Sequence, residues 1–304
     1  MMKRFFVDIV VVASIFVGAW LLLEFFAFPH LSRNNFSYKY NYLKNNGNDV
    51  SVLLMGNSYF ENSINPHLLG DSVFDMAVSA RWVYYDKELL ETFVPKMENL
   101  KAVLFPMGYK YPFMGSHHFM DDMDVKCVDH IHEKYMHVWY DRFPENFIRS
   151  LYVVYGSASG IKLFYNNIYC DSIGYSAVSG HQNDHWKQEQ NIDSEEVFSR
   201  EPEKQVEEYY GYLRDMAFVC NRHGVRFIVV TPPCHESFLV NVKPEKVEML
   251  HRLMEGLGSE YAVEYRDYLQ DEAFREDSLY YNCSHLNSCG ADRFALRVKK
   301  DFGL

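Results

Sequence analysis

The chain has 304 residues, 48% hydrophobic and 23% charged, with 30 Lys and Arg against 41 Asp and Glu, a formal net charge of -11. This composition excludes wholesale disorder, collagen-like repeats and a bare coiled coil, and an acidic chain without a long basic run lacks the footprint of a nucleic-acid binder. The length allows one large domain or two small ones and buries a core without staples.

Residues 5–28 read FFVDIVVVASIFVGAWLLLEFFAF. The unbroken apolar run from Ile9 to Leu23 gives about 22 Å of helix, short of a ~30 Å hydrocarbon core. With its Phe-rich flanks the segment reaches about 36 Å, which suffices. Asp8 and Glu24 then lie near the interfaces, where charge costs least. Lys3 and Arg4 precede the span and set the N-terminus in the cytoplasm. No small-x-small cleavage site follows, so residues 1–29 are expected to form an uncleaved single-pass anchor in the inner (cytoplasmic) membrane, with the bulk of the chain extracytoplasmic. Residues 30–49 are polar and read as a linker or juxtamembrane strand.

The body, 50–304, alternates strand and helix. Val50–Met55, Val73–Val78, Ala102–Met107, Arg226–Thr231 and Ala262–Tyr265 are short apolar runs that predict strands. Val83–Met97, Glu203–His223, Pro244–Leu257 and Gly290–Phe302 carry helical spacing, and Gly224 supplies a C-terminal cap. Apolar strands separated by amphipathic helices predict an α/β fold with a parallel sheet covered on both faces, in three α/β/α layers. Ligands in such sheets bind at the carboxyl ends of the strands. A stretch of about 112–202, rich in Tyr, His and Asn, predicts a helical insertion over the sheet edge. Within it, His117, His118, His130, His132 and His137 fall among four Asp residues, but their spacing matches no metal site. The six cysteines form no CxxC pair. Local pairing of Cys283 with Cys289, or of Cys234 with Cys283, is open but not favoured over free thiols.

The first strand runs into Gly56-Asn57-Ser58-Tyr59. A Ser between a strand and a helix exposes its hydroxyl where negative charge is welcome. The end of the chain reads Asp277-Ser-Leu-Tyr-Tyr-Asn282-Cys283-Ser284-His285-Leu286-Asn287-Ser-Cys-Gly290-Ala291. That block resembles the last block of the SGNH (GDSL-like) hydrolases, in which Asp-x-x-His precedes Leu-Asn and Gly. The turn after strand one resembles that family's Gly-Asp-Ser, with Asn57 in place of Asp. Ile64-Asn65-Pro66 looks like the membrane-anchored bacterial branch, and Val229-Val230-Thr231-Pro232-Pro233 like its fourth strand and turn. The resemblance covers about 50–111 and 203–304.

It implies that Ser58 is a nucleophile, His285 its general base, and Asn282 the residue that orients His285. The family has Asp at that last position, and Asp277 is a second candidate from the same loop. The oxyanion donors implied are backbone N–H groups at Ser58 and at Ser79 or Ala80, in a loop that lacks the family's Gly. Lys110 stands where the family has Asn. His235 lies at a strand's carboxyl end and either lines the pocket or caps the turn. The resemblance implies an ester hydrolase or acyltransferase acting on acyl groups of a cell-envelope glycan or lipid, without metal or organic cofactor. The alternative is a degenerate relative that binds envelope glycan or a protein partner.

Overall fold

The computed structural model describes residues 2–22, 34–79, 81–113, 132, 135–138, 168–188 and 202–304. Strands β1 (Val52–Leu54), β2 (Val73–Asp75), β3 (Ala102–Pro106), β4 (Arg226–Thr231) and β5 (Glu264–Asp267) form one sheet in the order β2-β1-β3-β4-β5. Every pairing is parallel. This is the doubly wound, flavodoxin-like order, and its switch point lies between β1 and β3.

Alternation along the strands divides the core in two. Leu53, Phe74, Val103, Phe105, Phe227 and Val229 face one side, with residues of α4 (Val83–Phe93), α5 (Pro202–Arg222) and α7 (Pro244–Tyr261). Leu54, Val73, Leu104, Ile228 and Val230 face the other, with Phe294, Ala295 and Val298 of α8 (Ser288–Phe302). The expected three layers are therefore present. The last strand begins two residues later than expected, because α7 continues to Tyr261 and Ala262 ends it at φ 54°. The final helix begins at Ser288, because Asn287 caps it through Cys289 N–H and Gly290 N–H. Most of the expected insertion, including His117, His118 and His130, lies outside the described residues. His132 is buried, accepts from Arg81 Nε at 3.0 Å and stacks on Tyr85.

Helix α1 (Met2–Leu22) carries a span, Lys3–Leu22, that is long and apolar enough to cross a membrane, and none of it is buried in the rest of the chain. A signal sequence meets the same description. Residues 30–49, expected as a linker, instead contain helix α2 (Asn35–Asn46), which belongs to the domain. Asn34 and Ser37 cap it reciprocally, with Ser37 N–H on Asn34 Oδ1 at 2.9 Å and Asn34 N–H on Ser37 Oγ at 3.2 Å. Its Lys39 is wholly buried, donates to the Ala77 carbonyl and pairs with Asp75 at 3.7 Å. Polar spacing hid this helix, since its inward face is held by capping and charge as well as by Leu43.

Burial pushes the Asp75 carboxyl up to about 7, with Lys39 pulling it down. A carboxyl whose pKa is higher folded than unfolded stabilises the fold at low pH, and that contribution is lost as pH rises toward the folded value. Unfolding free energy from urea titrations is expected to fall between pH 4 and pH 7 in the native chain, and Asp75→Asn is expected to flatten that slope. An unchanged slope in the variant would remove Asp75 as its source.

Candidate active site

The site lies at the carboxyl ends of β1 and β3, beside the switch point. Gly56 follows β1 with φ 106°, and a Cβ there would stand 2.5 Å from Pro106 Cδ of β3. Only glycine accepts both the angle and the contact. Its N–H donates to Asp86 Oδ1 at 3.0 Å, and Arg81 holds the same oxygen at 3.2 Å. Burial raises the Asp86 carboxyl and lowers the Arg81 guanidinium, while each charge opposes the shift of the other. Asn57 then caps the short helix α3 (Ser58–Glu61), accepting Tyr59 N–H at 3.1 Å. Asn57 is thus a cap, and Ser58 is set on the first turn with its side chain facing the loop that bears His285.

That loop is a tight hairpin between β6 (Tyr280–Asn282) and β7 (His285–Leu286). Ser58 Oγ lies 2.8 Å from His285 Nε2, and His285 Nδ1 lies 2.9 Å from Asn282 Oδ1. The same Oδ1 accepts the main-chain N–H of Ser284 at 3.1 Å and of His285 at 2.9 Å. Two backbone donors are met only by an oxygen, so the amide orientation is fixed by chemistry. Gln182 Oε1 takes the other end, accepting Asn282 Nδ2 at 3.1 Å. His285 Nδ1 therefore carries the proton, which leaves the Nε2 lone pair for the Ser58 hydroxyl. The Tyr59 ring stacks on the imidazole, with centroids 4.9 Å apart and planes at 11°. Gly108, after β3, packs so closely on Tyr59 that a Cβ would stand 2.2 Å from its ring.

The remaining predicted residues fall elsewhere. Ser79 does not offer a free amide. Its N–H donates to Glu61 Oε2 at 2.6 Å, and its hydroxyl donates to the same oxygen. Glu61 is buried on α3 and also accepts from Tyr169 Oη at 3.2 Å. Ala80 lies outside the described residues. Lys110 is half-buried in the turn after β3, where Phe113 N–H donates to its carbonyl at 3.0 Å. His235 caps a helix. Its Nδ1 accepts Ser237 N–H at 3.1 Å at the start of α6 (Glu236–Leu239), and its Nε2 meets Asp277 Oδ1 at 2.9 Å. Asp277 is thereby committed to His235, and to Lys187 at 2.6 Å, rather than to His285. Lys187 first, and then His235, hold its carboxyl below the usual range. Cys170, Cys220, Cys234, Cys283 and Cys289 are free thiols.

Sequence reading missed Tyr59, Glu61, Asp86 and Gln182 as parts of the site. Tyr59 and Glu61 sit within the Gly-Asn-Ser block and could have been flagged by proximity. Asp86 and Gln182 carry no local signal, because only the tertiary fold brings them in.

No family model matches the chain, and no curated protein matches it. Among solved structures, the chain is similar to a GDSL-like lipase from Bacteroides thetaiotaomicron, at 11% identity and TM-score 0.43, over 88% of this chain and 98% of that one. It is also similar to a catalytic mutant of an acetylxylan esterase from Geobacillus stearothermophilus, at 12% identity and TM-score 0.44, over 84% and 94% of the two chains. Likeness at this level transfers no residue role, and the site stands on its own geometry.

Replacing the cap, His235→Ala, is expected to cost about 1–2 kcal/mol in urea unfolding. A change below the error of that titration would show that the His235–Asp277 contact adds nothing.

Proposed function

We propose that the chain is a serine esterase or acyltransferase of SGNH type. The observation that carries this reading is the relay in which Ser58 Oγ stands 2.8 Å from His285 Nε2 while Asn282 holds the opposite nitrogen. A serine hydroxyl is a weak nucleophile until a base takes its proton. In the proposed reaction Ser58 Oγ bonds to the acyl carbonyl carbon as its proton passes to Nε2. The oxyanion is met by the Ser58 N–H, which has no hydrogen-bond acceptor among the described residues. Collapse expels the alcohol, which takes the proton from the imidazolium. Water or an acceptor hydroxyl then releases the acyl group by the reverse sequence.

An amide in place of the usual carboxylate keeps the tautomer but brings no charge to the imidazolium. In serine proteases that exchange lowers the rate about 10⁴-fold. The residue pattern therefore fits a slow enzyme. The proposed substrates are acyl groups on cell-envelope glycans or lipids, with α1 as the anchor and the body on the extracytoplasmic side. The Lys3–Arg4 charges and the apolar span support that orientation. A second reading, a domain that binds envelope glycan or a protein partner without catalysis, draws on Asn282 and on the Ser79 N–H engaged by Glu61.

Covalent labelling with a fluorophosphonate separates the two. The native chain is expected to label, and Ser58→Ala and His285→Ala to lose labelling at least 100-fold, on the order of a lost triad member. Asn282→Asp is expected to label roughly tenfold faster or more, with the acid limb of its pH profile moved upward, because a carboxylate favours the imidazolium. A folded native chain that never labels would end the enzyme reading.

A further inference from the structure

We infer that Ser284 is a positioning residue that supplies part of what the missing carboxylate would give. The inference deepens the esterase reading and rests on it. Ser284 sits inside the β6–β7 turn, 3% exposed, between Asn282 and His285. Its Oγ lies 3.1 Å from His285 Nδ1 and 3.3 Å from Asn282 Oδ1.

The donors around Asn282 Oδ1 outnumber what it can accept. Ser284 N–H, His285 N–H, the imidazole Nδ1–H and the Ser284 hydroxyl all point at it. An amide oxygen has two lone pairs, so these donors share it and the bond from the imidazole Nδ1–H is diluted. A second acceptor beside the ring strengthens the hold on that proton. The Ser284 hydroxyl is one, because the Nδ1 proton leaves its own hydrogen only the path to Asn282 Oδ1. Its lone pairs then face the ring. When Ser58 transfers its proton, those lone pairs face the new positive charge, in a buried place where an oriented dipole counts for more than in water.

The backbone keeps the hydroxyl there. His235 N–H donates to the Cys283 carbonyl at 2.8 Å, and Cys283 N–H donates to the Trp186 carbonyl at 3.0 Å. The Cys234 thiol approaches the Ser284 carbonyl at 3.9 Å. Among the described residues, the titratable groups against the imidazole and its turn include Tyr59 of α3, stacked on the ring, and the Cys234 thiol near the Ser284 carbonyl.

The test uses the full chain as wild type, Ser284→Ala, Asn282→Asp and the double variant. Two quantities are read across pH: the rate of fluorophosphonate labelling and the His285 protonation midpoint by ¹⁵N NMR. Ser284→Ala is expected to slow labelling about tenfold and to move the midpoint down by roughly half a unit, since it removes an acceptor from the charged ring. In the Asn282→Asp background the same change is expected to have less than a threefold effect, because the carboxylate then accepts the proton. That non-additivity marks one shared interaction. A folded Ser284→Ala chain with wild-type rate and midpoint would overturn the inference. If the wild type labels with no fluorophosphonate, the esterase reading fails, and the NMR midpoint alone still decides whether Ser284 supports the ring. Should Ser284→Ala unfold, Ser284→Cys, a poorer acceptor, is expected to shift the midpoint in the same direction.

Discussion

Strand β1 leaves the sheet between two neighbours that go different ways, β2 on one side and β3 on the other. The turn out of β1 must pass against Pro106 at the end of β3, and it does so through a glycine at φ 106°. Everything in the site hangs on that passage. It sets Asn57 as a cap, puts Ser58 on the first turn of a short helix, and lays Tyr59 under the ring of His285. A Cβ at Gly56 would push the turn off β3 and carry Ser58 away with it.

The turn is held from below by charge. Arg81 and Asp86 are buried together, and Asp86 accepts the Gly56 N–H. Lys39 of α2 and Asp75 form a second buried pair at the end of β2. Buried pairs of this kind add little net stability compared with apolar side chains of the same size, yet removing one partner is costly. Their effect is to specify geometry. They allow one position for the loop between β2 and α4, whose Ser79 in turn contacts Glu61 beneath the nucleophile.

The base is supported from the other side by a turn rather than by a charge. Asn282 binds two backbone N–H groups and the imidazole through a single oxygen. A carboxylate there would have two oxygens and a full charge. The amide gives orientation without charge, so the hydroxyl beside it matters more than it would in a chain with Asp.

The order of strands and helices along the chain and a sheet covered on both faces were legible in the sequence, because apolar runs of fixed period encode them locally. Ser58, His285 and Asn282 became candidates only through the resemblance of two short blocks at strand ends. The helix at Asn35–Asn46 was not legible, because its buried Lys39 and Asn35 read as surface residues until Asp75 and its neighbours close over them. Nor could sequence assign Asp277. It lies eight positions before His285, close enough to suggest a relay, and only the fold turns it toward His235 and Lys187. Sequence alone therefore determined the elements and offered candidate side chains at their ends. Tertiary structure decided which of them meet, because a hydrogen bond depends on distances of about 3 Å that residue spacing along a loop does not set.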